Sequence, residues 1–379
     1  MNIYNDAILL DKLILKLYHN YQMICIAFGG GNLKKYEFVA NSLSKDIEAH
    51  IYPDGTLLPT EEQLTRIYSV SRQTVRKSLS ILEEKGLIEK KQGCGSAVTM
   101  KNPAADSGKV AVIATYIDDY IFPVQLGGAV EVLAKNHISA VLSATGNRIC
   151  TERKILEDII REPVSGILVE GTKTAFPNPN IDLYEKLAKM KIPIVFFNSC
   201  YKELDGALCV RADNRRGGYE LTSYLLKKGH KSIAAVFKAD DIQGHQRYSG
   251  YISAMFDNNI YISDSKTIWY TTETKDRIFE GSDLLSSIGD ATAVVCYNDE
   301  IAFMLIKYLT ACGKSVPRDI AVVSFDNSSL SELSPVKITS LSCGVNPGEA
   351  AAKKLMDILK GRKAMSETVQ WKLEEKESS

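Results

Sequence analysis

The chain has 379 residues, its 46 Lys or Arg are balanced by 46 Asp or Glu, and 45% of it is hydrophobic. This length accommodates a small domain plus a larger core of one or two lobes, and the neutral balance excludes a simple nucleic-acid coat. Eight cysteines show no C-x-x-C pair and no metal-ligand spacing, a pattern of free thiols in a reducing cytoplasm rather than of a disulfide framework.

The first 33 residues are the least informative. Ile8 to Tyr18 are apolar but carry Asp11, Lys12 and Lys16, so they form neither a membrane span nor a signal-peptide core. An added helix, a disordered leader and an upstream start all remain open for 1–33.

From residue 60 the punctuation is sharper. Thr60 caps a helix running to about Tyr68, with Gln63 at the third position able to reach back in a capping box. Ser71 caps the next helix, in which Val75, Leu79 and Leu82 face inward until Gly86 stops it. Arg72 and Arg76 lie on its outer face with Lys77 alongside, and Gln73 is a second candidate for reading base edges. Leu87–Ile88 and Ala97–Thr99 are expected to pair as strands around a wing tip of Glu89, Lys90, Lys91, Gln92 and Gly93. Residues 71–101 hold seven Lys or Arg against three Glu, so the positive charge is local. Taken alone, Arg72, Arg76 and Lys77 are more simply a solvated helix face. The succession of cap, helix, basic helix and wing favours DNA.

Met100 to Gly108 is a short, small-residue-rich linker. Beyond it short apolar strands alternate with amphipathic helices, a βαβ series. Strands are predicted at Val110–Ala114, Ala140–Ser143, Gly166–Val169 and Ile194–Asn198, with helices near Val124–Asn136, Thr151–Arg161 and Asp182–Met190. A second series has strands at Ile233–Phe237, Thr267–Tyr270, Ala293–Cys296 and Ala321–Phe325. Its helices are predicted near Asn214–Lys228, Gly244–Asp257, Lys275–Ile288 and Glu300–Cys312. Two parallel-sheet lobes follow, and ligands bind outside the carboxyl ends of such strands.

At those ends stand Glu170 and Lys173, Asn198, Asp299 and Asp326. Paired carboxylates and amides, an Arg such as Arg247 and an aromatic wall suit a polyhydroxylated ligand. Each has a plainer reading: Asp299 and Asp326 as helix caps or Asx turns, Glu170 and Lys173 as a solvated loop pair, Arg247 as a surface ion-pair residue. Enzyme chemistry is not expected, because His19, His50, His137, His230 and His245 form no H-x-x-x-H set and Gly29-Gly30-Gly31 lacks the Lys and Ser of a phosphate loop.

Leu58–Glu61 (LPTE), Ser71–Arg76 (SRQTVR) and Gly86–Gly95 resemble the GntR-type winged helix-turn-helix, an α+β fold placed over residues 34–99. The resemblance implies that Glu61, Arg72, Arg76 and Gln92 contact DNA and that Tyr36 begins the first helix. Gly229-His230-Lys231, Arg247-Tyr248-Ser249-Gly250-Tyr251, Tyr297–Ala302 and Val316–Asp326 resemble the LacI/GalR-type effector domain over 109–375. That implies a two-lobed α/β periplasmic-binding-protein-like fold in which Arg247 and Asp299 hold the effector. Thr115–Pro123, Glu170–Lys173, Phe237–Gly244 and Cys296–Ala302 are similar to the arabinose repressors of Gram-positive bacteria. By that resemblance the effector is L-arabinose, Tyr120 or Phe122 walls the cleft, and the chain is a cytoplasmic homodimeric repressor on operator double-stranded DNA, with no cofactor or membrane. The alternative is a GntR/LacI-type regulator responding to another sugar or small metabolite; more distantly, a sugar-binding protein of a transport system shares the lobes but would lack the winged domain.

Overall fold

The computed structural model describes residues 34–48, 51–53, 55–91, 95–98 and 107–379. The expectations for 1–33 and for most of the linker fall outside them. The chain forms two compact units that divide between residues 103 and 104.

In the first unit, helices α1 (Lys35–Glu48), α2 (Glu61–Tyr68) and α3 (Arg72–Glu84) precede a ribbon of β1 (Ile88–Lys91) and β2 (Gly95–Val98). The capping box ahead of α2 forms: the Thr60 hydroxyl accepts from the Gln63 N–H at 3.3 Å and the Gln63 side chain accepts from the Thr60 N–H at 2.8 Å. Ser71 caps α3 by accepting from the Thr74 N–H at 3.2 Å. Val39, Leu43, Leu64, Val75, Leu79 and Leu82 form the core with Ile88 and Val98 of the ribbon. The strands pair antiparallel from Ile88↔Val98 to Lys91↔Gly95. The ribbon is therefore longer than the sequence suggested, and Glu89, Lys90 and Lys91 belong to a strand rather than to the wing tip. Ile88 is buried while Glu89 and Lys90 are both exposed, so the ribbon leaves the core after its first residue.

The second unit carries two six-stranded sheets. Lobe 1 orders β4 (Ser139–Ala144), β3 (Lys109–Ala114), β5 (Gly166–Val169), β6 (Ile194–Phe197), β7 (Leu208–Ala212) and β13 (Glu367–Val369), with every pairing parallel. Lobe 2 orders β9 (Thr267–Tyr270), β8 (Ile233–Lys238), β10 (Ala293–Cys296), β11 (Ala321–Phe325), β12 (Thr339–Cys343) and β14 (Trp371–Glu374), the last antiparallel. Runs such as Val110–Ala114 and Val294–Cys296 are buried because helices cover both sheet faces. Lobe 1 helices are α4 (Phe122–Lys135), α5 (Ile149–Arg161) and α6 (Ile181–Lys189). Lobe 2 holds α7 (Asn214–Lys227), α8 (Ile242–Asp257), α9 (Asp283–Ile288), α10 (Asp299–Ala311) and α11 (Ser329–Leu333). Helix α12 (Pro347–Leu359) returns to pack on α4 of lobe 1.

The chain thus crosses between lobes three times, after Ala212, after Cys343 and after Val369. The helix expected over Lys275–Ile288 is instead a single turn at Arg277–Phe279 and the short α9. Gly281 at φ +70° breaks it, a conformation that suits a residue without Cβ.

Candidate functional site: a basic helix face and an interlobe cleft

Helix α3 presents Arg72, Gln73, Arg76 and Lys77 to solvent. Glu61 on α2 lies between the arginines, accepting from Arg72 Nε at 3.0 Å and from Arg76 Nε at 2.9 Å. Burial pulls the Glu61 carboxyl upward, but the two arginine bonds outweigh it and its pKa falls below the ordinary value. Both arginine side chains remain more than 60% exposed (69% and 63%), so these bridges are weak and exchangeable for phosphate or base contacts. Lys77 Nζ sits 4.0 Å from the Tyr36 ring centroid, and the Ser78 hydroxyl donates to the Tyr36 carbonyl at 2.8 Å. Tyr36 therefore braces the start of α1 against the basic helix. Ser71 works as the cap already described. Gln92 and Gly93 lie outside the described residues.

The second unit holds a cleft of about 420 Å³ between the lobes, at the carboxyl ends of both sheets. Arg247, projecting from α8, is its most constrained member. Only 2% exposed, it donates from Nε to Asn214 Oδ1 at 3.0 Å, to the Tyr297 carbonyl, and over 3.4 Å to Asp326 Oδ1. Its guanidinium lies 4.2 Å from the Phe325 ring centroid, 4.8 Å from that of Tyr297 and 5.5 Å from that of Trp371, a cage that favours the planar cation.

Opposite stands a lobe 1 group. Glu170 accepts from the Thr115 N–H at 3.0 Å and the Thr115 hydroxyl at 2.6 Å, and Asn198 Nδ2 donates to it at 2.9 Å. Burial raises the Glu170 pKa, and those bonds only partly offset the rise. Asn198 also donates to Gln125 at 2.8 Å. Phe122 packs into the lobe 1 core beside Tyr116, with centroids 5.8 Å apart, while lining the cleft. Tyr120 reaches lobe 2, where its hydroxyl donates to Asp326 Oδ2 at 2.7 Å.

One plainer reading and one expectation need correction. Glu170 and Lys173 are not partners: Lys173 turns to lobe 2, bonding Glu273 and lying 3.7 Å from Asp240. Asp299 does not turn its carboxylate to the cleft, although Asn298, Glu300 and Asp326 line it. Its carboxylate accepts instead from the Ser324 and Ser340 hydroxyls and, at 2.6 Å, from the Ser328 N–H. Burial and the Asp326 charge push its pKa up to about 6, against the pull of those three donors.

Asn147 was missed. It donates to Thr272 Oγ1 at 2.5 Å and to Asp240 at 3.2 Å, tying the lobes together at the cleft mouth. Its position just beyond a predicted strand was the available signal. Gln125, Asn214 and Trp371 gave none, since Gln125 and Asn214 sit in the first turns of helices and Trp371 opens a strand just after a crossover. Together these groups offer buried carboxylates, amides, a caged arginine and aromatic faces, which suits a neutral molecule rich in hydroxyls.

Comparison with known proteins places these features. The sequence profile of bacterial regulatory proteins of the gntR family matches residues 35–98, and that of the periplasmic binding protein-like domain matches 222–379. The chain is 36% identical over 327 residues to the arabinose metabolism transcriptional repressor of Geobacillus stearothermophilus, covering 84% of this chain and 89% of that protein. It is also 36% identical to the same-named repressor of Halalkalibacterium halodurans, covering 81% and 84%. Among solved structures, a CelR–cellobiose complex superposes with TM-score 0.64 at 20% identity, covering 85% of this chain and all (100%) of that one. The transcription regulator CcpA of Lactococcus lactis gives TM-score 0.64 at 22% identity, covering 72% and 98%. These structural likenesses speak for the fold.

Proposed function

This chain belongs to the family of the arabinose metabolism transcriptional repressors, GntR/LacI-type transcriptional regulators, and we propose that its cleft binds L-arabinose and thereby weakens its hold on operator DNA. The observation that carries the reading is the 36% identity, which runs through most of the chain rather than through one unit. The cleft chemistry supports a neutral sugar over a phosphosugar: Lys275 pairs with Glu300, Lys173 with Glu273, and Lys238 lies 3.9 Å from Asp240. No spare cationic cluster is left among these for a phosphate.

Arg72, Gln73 and Arg76 enter the major groove and read base edges, Glu61 orients the two arginines, and Lys77 neutralises phosphate. Ser71, Gln92 and Gly93 position the helix and the wing on the backbone. Two copies of the chain, joined through the lobed unit, present two winged units to two operator half-sites. In the cleft, Arg247 bridges sugar oxygens, Asp326, Glu170 and Asn198 accept and donate to hydroxyls, and Phe122 covers the apolar face. Sugar favours one arrangement of the lobes, and that differential affinity is what reaches the DNA.

The test pairs two assays. Calorimetry with L-arabinose is expected to show binding that Arg247→Ala abolishes. Arg72→Ala and Arg76→Ala are expected to abolish operator retention and leave sugar binding intact. Heat from no pentose at all would remove the sugar reading, and loss of both activities in the α3 variants would refute the separation of roles.

A further inference from the structure

Between β3 and α4 the chain turns through Asp118 and Asp119, both exposed, into Tyr120. Tyr120 takes φ +54°, a left-handed conformation that a bulky residue disfavours. Lobe 2 holds it there. The phenol donates to Asp326 Oδ2 at 2.7 Å and accepts from the Asp299 N–H at 3.2 Å, the opening residue of α10. Asp326 is itself at φ +93°. Both ends of this contact are therefore held in strained backbone, and Asp118 and Asp119 beside it are exposed.

The bonds themselves are those of a ligand hydroxyl, one donated to a carboxylate and one accepted from a helix N-terminal N–H. The Asp299 carboxylate is committed to Ser324, Ser340 and the Ser328 N–H. A sugar hydroxyl entering this corner has to take the two groups that Tyr120 occupies.

We propose that Tyr120 is an internal competitor for the effector, its phenol filling the hydroxyl subsite formed by Asp326 and the Asp299 N–H until a sugar hydroxyl displaces it. The inference rests on reading the cleft as a sugar site. It has two consequences. Apparent affinity is lowered by the fraction of molecules in which the subsite is filled by the phenol. The displacing group must also donate and accept at once, which a hydroxyl does and a carboxylate or fully ionised phosphate does not, so Tyr120 screens ligands by hydrogen-bond type.

Isothermal titration of the full chain with L-arabinose tests this through the sign of one change. Tyr120→Phe keeps the ring and removes the competing hydroxyl, so it is expected to bind about threefold or more tightly than wild type. Tyr120→Leu, a second hydroxyl-free variant, is expected to shift the same way. Equal or weaker binding by variants that melt as folded proteins overturns the proposal and makes Tyr120 a wall of the site. The wild-type chain supplies a readout that needs no variant. Displacement moves a phenol off a carboxylate, so saturating L-arabinose is expected to produce a tyrosine difference spectrum in the near ultraviolet, and a flat spectrum overturns the proposal. Wild type that binds no pentose removes the sugar reading and this inference with it, an outcome set apart by the wild-type titration alone.

Discussion

Asp299 carries a buried negative charge whose cost is visible in its pKa, pushed up to about 6 from 3.8 by burial and by Asp326. Because the folded-state value lies above the ordinary one, the native chain binds this proton more tightly than the unfolded chain. The stabilisation is fully present below about pH 4 and is lost as pH rises through about 6, with an upper bound of about 3 kcal/mol. Asp299→Asn is therefore expected to gain on wild type in urea-melt stability between those limits, and parallel stability curves would contradict the assignment. The sequence led to Asp299 as an expected effector contact, from its place after a strand and from the LacI/GalR-type resemblance. What that place could not reveal is that Ser324 and Ser340, on two neighbouring strands, turn the carboxylate away from the cleft. Arg247 was legible through the resemblance of Arg247-Tyr248-Ser249-Gly250-Tyr251 to the LacI/GalR-type effector domain, whereas its aromatic cage gathers Tyr297, Phe325 and Trp371 from distant segments.

Helices α7 and α8 show how elements aim that arginine. They meet through glycines: a Cβ at Gly218 would run into the Arg247 carbonyl, and one at Gly250 into the Arg215 carbonyl. Such backbone contact cannot be relieved by a rotamer change. Gly250→Ala is expected to cost roughly 1–3 kcal/mol by overpacking and to weaken sugar binding as Arg247 shifts. An unaltered melting temperature would show that the helices can part freely. Helices with strong caps, such as those opened by Thr60 and Ser71, were readable because the cap residue and its bond partner are three positions apart. The strands Leu208–Ala212, Thr339–Cys343, Glu367–Val369 and Trp371–Glu374 were not read. They are short, and all four carry charged or polar residues amid the apolar ones.

At the scale of the molecule, three crossovers join the lobes, so relative lobe movement has to pass through Ala212–Asn214, Cys343–Pro347 and Val369–Trp371. The bonds of Asn147, Lys173 and Tyr120 to lobe 2 resist such movement. With a coupling of about 1–3 kcal/mol, saturating L-arabinose is expected to weaken operator binding roughly 5- to 150-fold. Fluorescence anisotropy with labelled operator, at fixed ionic strength, measures this, and identical affinity with and without sugar would deny the coupling.

The sequence by itself determined that a capped basic helix with a wing precedes two βαβ lobes, because caps, turn glycines and apolar runs act over a few residues and are written locally. It also identified most of the polar groups at the strand ends. Only the tertiary structure decided which of them face the cleft. Tyr120 meets Asp326, Lys173 meets Glu273, and Asp299 meets Ser340 across long stretches of chain. The direction in which a side chain satisfies its hydrogen bonds depends on partners that folding alone brings together.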